Sequence, residues 1–211
     1  EQYKADAAQL SADELLYAAT LTNDANEKEA IYKKAAECYD KDYRAYNNLA
    51  VMAFNKGDEN AAKSYVKQAF AKDQKAPEGY ANLALIALRN GNIAEAESNL
   101  SKAINANGFG EVLGNLNIAK GNYATAVKNF EGSKSSSAAL AQILNKDYAA
   151  AVATLKDQKN ADALSDYLMA IVQNRQGNTA AAQDYLNSAI KKNSALSQYA
   201  DNDLEFANLK K

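Results

Sequence analysis

The stretch YNNLAVMAFNKGD, from Tyr46, returns 34 residues later as YANLALIALRNGN, from Tyr80. A chain that repeats itself at a fixed offset is restricted to folds built from equivalent units. Each unit must be one supersecondary piece whose apolar face a neighbour covers. Here the piece is helical. Tyr46, Leu49, Ala50 and Ala53 fall at i, i+3, i+4 and i+7, one face of a helix. Asn55-Lys56-Gly57-Asp58 stops it: Gly57 suits the left-handed position past a helix end, and Asp58 is placed to cap the next helix. That second helix runs through Ala62, Val66, Ala69 and Phe70.

The following unit matches position by position. Tyr80, Leu83, Ala84, Gly91, Asn92, Ala96, Leu100 and Ala103 stand for Tyr46, Leu49, Ala50, Gly57, Asp58, Ala62, Val66 and Ala69. Pro77, the single proline, opens its first helix, where a missing N–H costs nothing. The alanines fall where two helices must cross closely, and Tyr46 and Leu49 fill the gaps. A chain rich in alanine and patterned this way is expected to be all-helical.

Composition narrows the chemistry. With 47% hydrophobic and 24% charged residues and a net charge of −2, wholesale disorder is not expected. No run of basic residues exceeds two, so the stripe that displaces counterions from nucleic acid is missing. There is no histidine, which removes the commonest general base and metal ligand. Cys38 is alone, so a thiolate cluster and an internal disulfide are excluded, and it reads as a small buried or half-buried residue on a helix. Neither a metal nor a cofactor is expected. Adjacent acids such as Asp58 and Glu59 read as helix-start charges rather than a catalytic pair. NGFGEVLG (107–114) lacks the Lys-Ser/Thr of a phosphate-binding loop and follows a helix, so it reads as a kink or short turn. The sequence therefore predicts a non-enzymatic protein. No apolar run approaches the ~18 residues of a membrane span. The chain opens EQYKADAAQL, without Met or an apolar leader, as expected of a chain whose leader was removed or of a piece of something longer.

A period of 34 with an aromatic, Leu-Ala, a turn Gly, then Ala, an apolar residue and Ala resembles the tetratricopeptide repeat, or TPR. Further units match in part. Leu113, Gly114, Gly121, Asn122, Tyr123, Ala126 and Phe130 form one; Met169, Ala170, Gly177, Ala182, Leu186 and Ala189 form another. Between them a degenerate unit has Ala139, Asp147, Tyr148, Ala151 and Leu155, with Lys146 where Gly is expected. At the start, Tyr32 and Ala35 occupy second-helix positions. The resemblance implies an all-α, right-handed superhelical array, an α-solenoid, of about six hairpins. It places repeats near 10–42, 43–76, 77–106, 107–131, 132–162 and 163–196 and a capping helix over 197–211, all in one domain, 1–211. Turn-to-turn spacings shrink from 34 to 30 and then 25 residues between Gly57, Gly91, Gly121 and Lys146, so the middle helices should be short. GSKSSS (132–137) reads either as a flexible linker at a domain boundary or as a loop whose serines cap the next helix. The first quarter of the chain, DELLYAATLTNDANEKEAIYKKAAECYDKDYRAYNNLAV, also resembles TPR modules attached to OmpA-family outer-membrane-associated proteins. That resemblance implies a bacterial cell-envelope setting, periplasmic or outer-membrane-associated, with a cytoplasmic one as the alternative.

In a TPR array the first helices line a concave groove that accepts a peptide or a helix of a partner protein. The groove residues so implied are Arg44, Asn47, Asn48, Val51 and Asn55, then Glu78, Asn82, Leu85 and Arg89. Asn48 and Asn82 share one repeat position, where the resemblance implies either a bond to a peptide backbone or a bond within the scaffold. A clamp for a C-terminal carboxylate wants Lys where Asn47 and Ala81 stand, and is not supported. The implied function is a protein-interaction scaffold; the alternative is a structural spacer or self-associating module, a homo-oligomer.

Overall fold

The computed structural model describes residues 7–103, 108–158 and 161–209. Within them lie thirteen α-helices and two short 3-10 turns, and no strand. The helices are α1 (Ala12–Leu21), α2 (Ala25–Cys38), α3 (Tyr43–Asn55), α4 (Glu59–Lys72), α5 (Pro77–Arg89), α6 (Ile93–Lys102) and α7 (Gly110–Ala119). They continue with α8 (Tyr123–Asn129), α9 (Ser136–Leu144), α10 (Tyr148–Lys156), α11 (Ala163–Arg175), α12 (Thr179–Lys192) and α13 (Leu196–Asn202). The fold is the expected succession of helical hairpins.

The hairpin turns share one construction. In the first full unit the Asp58 N–H donates to the Ala53 carbonyl at 2.9 Å and the Gly57 N–H to the Phe54 carbonyl at 3.0 Å. This pair of bonds closes a helix through a left-handed residue, and Gly57 has φ of 82°. The same long bond recurs from Asn92 to Ala87, Asn122 to Asn117, Asp147 to Gln142 and Asn178 to Gln173. Asp58 ends one helix and starts the next, since its Oδ1 also accepts from the Ala61 N–H at 2.9 Å. Asn92 and Asp147 cap in the same way. Lys146 keeps the geometry without being glycine: its φ is 65°.

The chain divides into two compact units, residues 1–112 and 113–211. In the first, α1 pairs with α2, α3 with α4 and α5 with α6, and α3 packs directly on α5. Leu15, Ala19, Ile31, Ala35, Ala45 and Leu49 form one core cluster, and Ala53, Ala62 and Ile86 another. The alanines predicted to lie at helix crossings do so: Ala50, Ala62, Ala84 and Ala96 are all within 1% of full burial. In the second unit α9 pairs with α10 and α11 with α12, and the core gathers around Leu168–Val172 on α11. The middle helices are short, as the spacing predicts: α8 has seven residues and α9 and α10 nine each, against thirteen and fourteen in α11 and α12.

The GSKSSS stretch is a capping loop. Ser135 Oγ accepts from the Ala138 N–H at 3.1 Å, starting α9. The NGFGEVLG stretch runs into α7 from Gly110, while Asn107 lies outside the described residues.

Candidate functional site

In the first unit the first helices of successive hairpins are tied along one side. Arg44, at the start of α3, reaches Asp13, at the start of α1, with Nη1 2.7 Å from Oδ1. One turn further along α3, Asn82 of α5 donates from Nδ2 to the Asn47 carbonyl at 3.4 Å. These bridges bring the start of α1 beside α3 and put α3 beside α5. The 34-residue repeat itself places equivalent side chains in rows. Asp13, Asn47 and Ala81 make one row; one turn on, Tyr17, Val51 and Leu85 make the next; a third is Leu21, Asn55 and Arg89.

The middle row is apolar and open. Tyr17 is 65% exposed and Val51 39%, and Leu85 is half-buried. Leu21, 68% exposed, extends it. Single exposed apolar residues are ordinary on a protein surface; Tyr17, Val51 and Leu85 stand one per hairpin at the repeat spacing.

The polar residues implied for the groove divide into engaged and unengaged groups. Arg44 is engaged twice: besides Asp13 it holds Asp42, Nη2 to Oδ2 at 2.6 Å and Nε to Oδ1 at 3.0 Å. Its hydrogen bonds to Asp42 and then to Asp13 hold the guanidinium charged above its ordinary range, and Arg44 in turn draws the Asp42 carboxyl below its own. Arg89 lies flat on Phe54, its guanidinium carbon 3.5 Å from the ring centre, and donates to the Phe54 carbonyl at 2.6 Å. Both arginines thus grip neighbouring elements of the scaffold. Asn82 is buried and makes the bond within the scaffold described above; Asn48, its equivalent, is half-buried. Asn55 is exposed. Asn47 is 4% exposed, and neither its Nδ2 nor its Oδ1 has a hydrogen-bond partner. Glu78 is half-buried with Oε2 enclosed and unpartnered, and burial, then the Glu78 charge, raises the Tyr43 phenol.

Tyr17 and Leu21 were missed by the sequence reading. Their signal was present, since they stand 34 residues before Val51 and Asn55. The first hairpin carries the repeat signature chiefly in Tyr32 and Ala35 of its second helix, and its first helix lacks the motif.

The second unit has a cleft of its own, about 680 Å³, lined by Leu164 and Tyr167 of α11, Leu196, Tyr199 and Asn202 of α13, and Asp203. Tyr167 donates to Asp203 Oδ2 at 2.7 Å and meets Phe206 edge-on with ring centres 5.3 Å apart. Burial, then the bond to Asp203, raises the Tyr167 phenol, so it remains a donor. Among the described residues no group of acids and cysteine is arranged to hold a metal ion. Nor is any helix among them long and apolar enough to cross a membrane.

Residues 43–71 and 77–108 match the family model of the tetratricopeptide repeat. No curated protein matches the chain in sequence. Among solved structures it is similar to a tetratricopeptide repeat protein from Parabacteroides merdae, at TM-score 0.56 and 15% identity, covering 90% of this chain and 82% of that one. It is similar to PilW, a widely conserved type IV pilus biogenesis factor, at TM-score 0.57 and 15% identity over 95% and 98% of the two chains. It is also similar to pilF of Pseudomonas aeruginosa, at TM-score 0.54 and 15% identity over 94% and 96%.

Proposed function

We propose that this chain, which carries tetratricopeptide repeats in its second and third hairpins, is a non-enzymatic scaffold that binds an extended segment of another protein on the face shared by α1, α3 and α5. The observation that carries the reading is the open apolar row Tyr17, Val51 and Leu85, one residue per hairpin in a fixed register. Packed helices lie ~8–10 Å apart. An extended strand rises ~3.3 Å per residue. Equivalent positions on neighbouring hairpins therefore meet the backbone of a bound strand about three residues apart. Specificity comes from the edges. Asn48 and Asn55 offer neutral hydrogen bonds, and the Arg89 guanidinium, already stacked, is pre-placed to meet an acidic residue. Arg44, held between two carboxylates, orders the scaffold instead. Similarity to a type IV pilus biogenesis factor and the resemblance of the first quarter to outer-membrane-associated modules support a setting in the bacterial cell envelope.

Site-specific photo-crosslinking tests this. A crosslinker at Val51 should capture a protein from the envelope fraction of the native cell, and the same crosslinker at Lys67, exposed on α4, should not. Equal capture at both positions would contradict the reading.

A further inference from the structure

In the second unit, two of the three large hydrophobic side chains that stand exposed among the described residues line one cleft. Leu164 is 48% exposed, Tyr199 70% and Leu204 89%. Leu164 and Tyr199 form opposite walls of the cleft between α11 and α13, and Leu204 follows directly after Asp203. The far wall is firmly held. Phe206 is fully buried beneath it, Arg175 Nε binds Glu205 at 2.9 Å, and Asn174 and Asn208 exchange side-chain hydrogen bonds at 2.9 Å. A cleft with a rigid wall and an open apolar mouth is pre-formed, which lowers the ordering cost of binding.

The charged residue lining the cleft is an acid. Asp203 accepts the Tyr167 hydroxyl on Oδ2 and the Glu205 N–H on Oδ1, both neutral donors, so its negative charge is uncompensated by these bonds. Arg175 of α11 pairs with Glu205, and Lys192 of α12 pairs with Asp166. Apolar walls with an anionic end suit one kind of ligand.

We propose that this cleft is a second docking site, which takes a peptide segment of a partner protein carrying an aliphatic or aromatic side chain next to a lysine or arginine. The apolar side chain lies between Leu164 and Tyr199, and the cation pairs with Asp203. About 680 Å³ accommodates one or two side chains, not a folded surface. This site stands independently of the face on the first unit.

The test is selection of a randomised twelve-residue peptide library on the full chain, followed by affinity measurements on the enriched peptides with four variants. Peptides pairing an apolar residue with Lys or Arg should be enriched. Their affinity should fall about tenfold with Tyr199→Ser or Leu164→Ser, both at exposed positions, and be unaffected by Val51→Ser. Asp203→Asn should erase the preference for a Lys peptide over its Glu counterpart. Enriched peptides that are acidic, or that respond to Val51→Ser and not to Tyr199→Ser, would overturn the proposal. So would concentration-dependent dimerisation abolished by Tyr199→Ser, which would assign the cleft to a second copy of this chain. Because Val51→Ser reports on the first-unit face alone, failure there and failure here are read separately.

Discussion

At the scale of single residues, the turns state the rule of the fold most clearly. Five hairpin turns share one hydrogen bond across a left-handed residue, and four of those residues are glycine. Lys146 is the exception, and an L side chain in that conformation costs about 1–2 kcal/mol. Lys146→Gly should therefore raise stability by about 1 kcal/mol, read from a denaturant midpoint at unchanged slope; a loss of stability would mean that the lysine side chain gives back more than its strain. Glycine's absence at 146 made this turn readable only through the neighbouring Asp147-Tyr148 and the returning alanines. Asp42 offers a second residue-level test. Arg44 holds its carboxyl below the ordinary range, so its contribution is complete above the unfolded value of about 3.9 and is lost as pH falls through the lower folded value. Asp42→Asn keeps the cap of α3 but removes the charge. It should cost less than about 1 kcal/mol at pH 7, and the difference from wild type should shrink as the pH drops below about 4. A difference that grows in acid would reverse the assignment.

At the scale of elements, close helix crossings depend on paired sizes. Ala50 faces a hairpin partner with Val66, and the equivalent pairs are Ala84 with Leu100 and Gly114 with Phe130. A Cβ on Gly114 would lie 2.4 Å from the Phe130 ring, so the third pair exchanges a smaller residue on one helix for a larger one on the other. Gly114→Ala alone should cost about 1–3 kcal/mol by overpacking. Combined with Phe130→Leu it should recover part of that loss, and the double-mutant cycle should show coupling. Additive costs would mean that the two residues do not share the crossing. The small residues were legible from sequence because they recur at the repeat period. The side chains around them were less so. Lys72 looks like a free surface residue in sequence, yet its ammonium lies 5.8 Å from the Tyr46 ring centre and 3.4 Å from Asp40. The Tyr46 contact lies within one hairpin and the Asp40 contact reaches back to the preceding one, and the apolar repeat pattern encodes neither. For the same reason the sequence offered Arg44 and Arg89 as ligand contacts without showing that Asp13 and Phe54 hold them.

At the scale of the whole molecule, stability in a repeat array follows local interfaces. Helices α8 to α10 are shorter than α11 and α12, and α8 buries one residue where α11 buries eight. Amide exchange should be faster across 123–156 than across 163–192, and uniform protection would oppose this. We propose that residues 1–211 form one array rather than two separate domains; a single calorimetric transition supports that, and two resolved transitions oppose it. The fold class and hairpin order were visible in the sequence because periodicity encodes them directly. The apolar row was half visible, through Val51 and Leu85, and the cleft beside α13 was not, because α13 stands outside the repeat. The measurement that bears most directly on the account is a calorimetric titration of the captured partner segment into wild type, Val51→Ser and Lys67→Ser, each with its melting temperature. The account predicts roughly tenfold weaker binding for Val51→Ser. It also predicts unchanged affinity for Lys67→Ser and unchanged melting for both. Equal affinity of all three proteins would place the function on another surface.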